Sequence, residues 1–108
     1  MIKVTYESVN EQIASLEIKG HALSAEHGQD LICSAVSAVT FGGLNALHSQ
    51  QSFAIAISEG YVAVAAKGEI SSEDEIVLKT ILTQLETIAR ENPKNVKIIR
   101  KEKKNNDL

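Results

Sequence analysis

The apolar and polar positions of this chain change period several times along its length. IKVTYE (2–7) alternates, with Ile2, Val4 and Tyr6 on one side and Lys3, Thr5 and Glu7 on the other. That period of two predicts a half-buried strand. SVNEQ (8–12) reads as a turn, and ASLEIK (14–19) alternates again, setting Ala14, Leu16 and Ile18 against Ser15, Glu17 and Lys19. The two form a hairpin with one polar face. FAIAISE (53–59) and YVAVAAK (61–67) flank Gly60 as a second strand pair, apolar on both faces, as central strands are. VKIIRK (96–101), after Pro93, reads as a final strand at a sheet edge.

Two segments carry helical spacing instead. From Asp30 onward Ile32, Val36, Val39 and Leu47 form one apolar stripe, and Cys33, Ser37 and Thr40 fall on a neighbouring, smaller and more polar line. Gly42-Gly43 permits close packing at some cost in helix stability. The second helix starts at SEDE (72–75), read as a capping box in which Ser72 caps and Glu75 answers. Ile81, Leu85 and Ile88 then form its stripe, widened by Leu78 and Leu82. Glu75–Lys79 and Glu86–Arg90 are spaced for i, i+4 pairs, and Asn92-Pro93 ends the helix. The order β-β-α-β-β-α-β predicts an α+β two-layer sandwich. Its four- to five-stranded sheet, mainly antiparallel or mixed, carries both helices on one face. The domain is expected to span residues 1–101, with 102–108 a basic, flexible tail.

Composition narrows the class. A chain of 108 residues with 44% hydrophobic and 23% charged positions is an ordinary globular domain. One cysteine makes no intrachain disulfide, no run reaches the length of a membrane span, and MIKVTYESVN carries no secretory pattern. A cytoplasmic setting is expected. The net charge of −3 is uneven: residues 94–108 hold six basic and two acidic side chains, residues 1–93 five and twelve. An acidic body suits basic or neutral partners, and direct nucleic-acid binding is not expected.

The segment between Lys19 and Asp30, GHALSAEHGQ, fits neither period and is longer than a usual connection. Asp30 is the expected N-cap of the following helix. Cys33 would then lie in the first turn, where the helix dipole favours a thiolate and free amides face a developing oxyanion. A lone cysteine in an Ala/Val-rich helix is ordinarily a buried small hydrophobe. His21 also reads as a loop histidine bonded to a carbonyl, and His27 and His48 read as surface residues. On chemistry alone a Cys–His nucleophilic pair stands beside these plainer readings.

Gly20-His21-Ala22, a five-residue gap, then Gly28-x-Asp30-Leu31-Ile32-Cys33 with Ser37 four residues on resembles the signature of the Prp (YsxB-like) family of bacterial ribosomal-processing cysteine proteases. Ser34 stands where that family often has alanine, a small-for-small change. The resemblance covers nearly the whole chain apart from the tail after Lys101. It implies a cysteine endopeptidase that removes the N-terminal extension of a large-subunit ribosomal protein (number twenty-seven), cutting after phenylalanine. It implies Cys33 as nucleophile, His21 as general base and later acid, Asp30 and Ser37 as supporting residues, and Gly20 as a hinge. It further implies a homodimer, a ribosomal protein precursor as partner, and no cofactor or metal. Two other readings stay open. One is a non-catalytic ribosome-associated binding module, suggested by the basic tail. The other is a thiol redox sensor, which lacks a second cysteine to resolve it.

Overall fold

Five strands and two α-helices arise in the expected order, together with a short 3-10 turn at Gln50–Ser52. The computed structural model describes residues 1–20 and 27–102, with the side chains of residues 27–30 outside the described set. The strands are β1 (Ile2–Val9), β2 (Gln12–Lys19), β3 (Phe53–Ser58), β4 (Tyr61–Ala66) and β5 (Val96–Glu102); the helices are α1 (His27–Asn45) and α2 (Ser72–Glu91). The sheet order is β3-β4-β2-β1-β5. All neighbours are antiparallel except β5, which lies parallel to β1 at one edge. The sheet is therefore mixed, and the last strand is at an edge as its sequence predicts.

The β1–β2 hairpin closes tightly. Asn10 and Glu11 both have positive φ, 53° and 66°, and Val9 pairs with Gln12. Two left-handed residues in a two-residue loop match the twist of the strands they join. Next to this turn the register slips: Glu7 faces Ser15 but Ser8 faces Ile13, which leaves Ala14 as the extra residue of a bulge. The bulge reverses the phase of β2, so Ile13 is buried with Leu16 and Ile18 while Ala14 is only half-buried. Strict alternation through Ala14 is corrected for that reason.

Ile2, Val4, Leu16, Ile18, Val62, Val64 and Val96 line the core face of the sheet, against Val36 and Leu44 of α1 and Leu78, Ile81 and Leu85 of α2. The helices approach closely where Gly43 meets Ile81: a Cβ at Gly43 would run into the Ile81 side chain, whereas Gly42 faces open space. Of the glycine pair, only Gly43 serves close packing. β3 is the opposite edge of the sheet, not a central strand. Ala54 and Ala56 are exposed there, and Ile57 is 58% exposed. Its pattern misleads because its three outward positions, Ala54, Ala56 and Ser58, are alanine or serine, compatible with either environment.

The start of α2 differs from its expected box by one residue. Ser71 is the N-cap, its hydroxyl accepting from the Asp74 amide at 3.1 Å. The Asp74 side chain is fully buried and turns the other way: its carboxylate accepts from the amides of His48 (2.7 Å) and Ser49 (3.1 Å). This ties the start of α2 to the chain leaving α1. Glu75 accepts from Gln12 Nε2 at 3.0 Å rather than pairing with Lys79. Among the described residues the ion pair formed is Arg100–Glu102, so the helical i, i+4 spacings do not become bridges. The end of α2 is as expected, with Asn92 capping through Ile88 and Ala89. Among the described residues no helix is long and apolar enough to cross a membrane.

Candidate active site

α1 crosses the sheet with Val36, Thr40 and Leu44 facing the core and Cys33 and Ser37 at the margin of that buried face. Cys33 is a free, half-buried thiol packed against the core. Ser37 follows it by four residues, so the two stand one above the other on the same side of the helix. Thr40, expected on this small polar line, is instead buried, 2% exposed, and its Oγ1 has no hydrogen-bond partner.

The helix begins at His27, three residues before Asp30. Asp30 is therefore within the helix backbone and is not its N-cap. Gly28 is accommodated in the first turn, where helix amides are unpaired in any case. Cys33 accordingly lies beyond the first turn, where the field of the helix terminus has fallen away. The helix-start amides expected beside it as oxyanion donors stand upstream.

Ser37 and Phe41 line an open cavity of about 170 Å³ together with Ser58, Glu59, Gly60, Tyr61 and Val62 of the β3–β4 hairpin. Gly20 reaches the same place from the other side. Its amide donates to the Gly60 carbonyl at 3.1 Å. Its φ is +94°, and a Cβ there would meet the Met1 carbonyl, so the position accepts glycine alone. The fold thus gathers Gly20 and Ser37 around one hairpin turn, with Cys33 a helical turn away from Ser37. His21, the next residue after Gly20, lies outside the described residues, as does the side chain of Asp30. His48 is exposed beyond the far end of α1, with the thirteen-residue helical run from Cys33 to Asn45 between them.

The hairpin turn and Phe41 are contributions that the linear motif does not contain. Phe41 is signalled by its i+4 spacing from Ser37; the hairpin's position is not signalled, because it depends on β4 pairing with β2. Two larger cavities, of about 300 and 270 Å³, flank the β1–β2 hairpin at the other end of the sheet and include none of these residues. Size therefore does not identify the site. Tyr61 donates its hydroxyl to Glu17 Oε2 at 3.0 Å. That hydrogen bond, with a smaller effect of burial and of the Glu17 charge, holds the phenol above its ordinary range.

A family model described as Cysteine protease Prp matches residues 1–97, so the class of protein defined here is a cysteine protease. The ribosomal processing cysteine protease Prp of Bacillus subtilis is 33% identical over 107 residues, covering 91% of this chain and 96% of its own length. Among solved structures, the essential ribosomal processing protease Prp from S. aureus in complex with a substrate peptide superposes with a TM-score of 0.83 at 28% identity. That match covers 94% of this chain and 100% of the other. A second S. aureus structure, in complex with a covalently linked product peptide, gives 0.81 at 29% identity, with the same coverage. The chain belongs to the Prp family of cysteine proteases.

Proposed function

We propose that this protease removes the N-terminal extension of a ribosomal protein of the large subunit, number twenty-seven, cutting after phenylalanine. Cys33 is the nucleophile and His21 the general base. The observation that carries the assignment is that the sequence contains one cysteine. A cysteine protease built on this chain has no other thiol to use. The relatives' part in ribosomal processing supports the substrate class.

The family resemblance implies His21 as the base, and the positions of the other histidines support that reading. His48 is remote. His27 opens α1 six residues before Cys33, which sets its backbone about 9 Å along the axis and well around the helix. His21 follows Gly20, which is anchored to the hairpin turn of the cavity. In the reaction His21 takes the thiol proton, and the Cys33 sulfur attacks the scissile carbonyl. Collapse of the tetrahedral intermediate forms the thioester and expels the amine, which takes that proton from His21. Water, deprotonated by His21, then releases the acid product and restores the thiol. Asp30 and Ser37 are supporting residues near the nucleophile. Gly20 is the hinge of the segment that carries His21, as the family resemblance implies. The reading includes a cytoplasmic homodimer, as the family resemblance implies.

Intact-mass analysis of the ribosomal protein after incubation with the enzyme tests the reaction directly. Loss of a short N-terminal peptide ending in phenylalanine is expected. Cys33→Ala and His21→Ala are each expected to lower turnover by at least about a hundredfold with an unchanged circular dichroism spectrum. Cleavage at the wild-type rate by Cys33→Ala would end the proposal.

A further inference from the structure

The helices cover one face of the sheet, leaving the other face free of helices. On a sheet, paired residues stand side by side on the same face. At the Gly20 end of this face one row crosses all five strands. Ser58 pairs with Tyr61, Tyr61 with Lys19, Lys19 with Lys3, and Lys3 with Lys97. Three lysines on β2, β1 and β5 therefore stand abreast, at a strand spacing of about 4.8 Å.

All three are exposed, and none is in an ion pair among the described residues. Like charges directly opposite each other weaken a sheet, and a bound polyanion would remove that repulsion. Glu17, in the next row, is occupied by the Tyr61 hydroxyl. That bond steadies the phenol ring beside Lys19. The alanines of the same row, Ala56 and Ala63, are too small to crowd the ring's surroundings. The net charge of −3 hides this segregation, because the acidic side chains of α2 lie on the other layer.

We propose that this open face binds single-stranded RNA, with Lys19, Lys3 and Lys97 following the phosphates and Tyr61 stacking on a base. A cationic track with an aromatic side chain is the arrangement by which sheets hold single strands. Charge complementarity requires a polyanion. The ring beside the lysines favours nucleic acid over an acidic protein, since every base offers a π-face and a carboxylate does not. The choice of RNA over DNA rests on the ribosomal reading above; the binding itself does not depend on the cleavage chemistry. The row lies at the sheet end where Gly20 meets the hairpin, so RNA carrying a precursor protein would hold it beside the candidate site.

Fluorescence anisotropy of the full chain with a labelled single-stranded RNA, titrated at several salt concentrations, tests this. Binding is expected to weaken steeply with salt. Combined Lys3→Ala, Lys19→Ala and Lys97→Ala should reduce the slope of log K against log salt by about 2, at about 0.7 per phosphate contact. Tyr61→Ala should weaken binding at least about fivefold, while Tyr61→Phe, which keeps the ring, should bind nearly as the parent does. Lys79→Ala with Arg90→Ala, on α2, should leave binding unchanged, and melting curves verify that each variant is folded. Cys33→Ala should bind as wild type, which separates this proposal from the protease reading. The proposal is overturned if the triple variant keeps the parental slope, or if polyglutamate displaces the RNA as well as unlabelled RNA does. Tighter binding of the matching DNA, or a dimer that the triple variant dissolves, would overturn it too.

Discussion

A buried hydroxyl without a partner is a defect that a single substitution can remove. Thr40 Oγ1 is such a group, set in the core face of α1 between the site margin and the α1–α2 contact. Leaving a buried polar group unsatisfied costs about 1–3 kcal/mol. Valine has nearly the same shape, so Thr40→Val is expected to raise stability by about 1 kcal/mol in urea unfolding; a loss of stability would show that the hydroxyl has a partner in solution. Tyr61 gives a second residue-scale expectation. Its folded pKa is raised above the ordinary value of 10.0, chiefly by its bond to Glu17. The stabilisation is therefore full below pH 10 and is lost as pH rises through the folded pKa. Tyr61→Phe should remove that component of the alkaline decline, so melting temperatures measured from pH 9 upward should converge for parent and variant at the highest pH.

Elements were legible where local periodicity and the final packing agree. The stripe of α2 and the Asn92 stop needed no tertiary information, and both stand as read. The errors have tertiary causes. Ala14 reads as inward because a bulge changes strand phase without changing composition. β3 read as central because alanine does not distinguish an edge from an interior. The start of α1 reads as Asp30 because a good capping residue resembles a cap wherever it stands. At α2 two serines compete, and the structure selects Ser71, since Asp74 then serves both as the third helical residue and as the acceptor for His48 and Ser49. Ser71→Ala should therefore cost about 1 kcal/mol and Ser72→Ala much less, as read by thermal or urea melts of the two variants. A larger loss for Ser72→Ala than for Ser71→Ala would return the cap to Ser72.

At the scale of the whole molecule, the candidate site was half legible. The compound motif singled out Gly20, His21, Asp30, Cys33 and Ser37 along the chain, and the fold shows why two distant members meet. β2 delivers Gly20 to the β3–β4 turn, and α1 delivers Ser37 to the same turn. Linear spacing announces the hairpin around Gly60 but not its place beside Gly20 and Ser37, which depends on long-range strand pairing. The lysine row is of the same kind: Lys3, Lys19 and Lys97 are far apart in sequence and acquire meaning only through register.

The exposed edge at β3 also bears on how this protein behaves at high concentration. FAIAIS has no charge, no proline and an isoleucine, Ile57, 58% exposed, along an edge whose backbone groups are free on one side. Natural sheets blunt such edges with lysine, proline or a bulge, and none of these occurs within β3. Two molecules meeting edge to edge could extend one sheet through both, the first step of ordered aggregation. Ile57→Lys should slow the growth of light scattering in a concentrated, gently warmed solution, while a lysine at the already protected α2 surface should not. The strand that closes one wall of the candidate site would thus also set the shelf life of the protein that carries it.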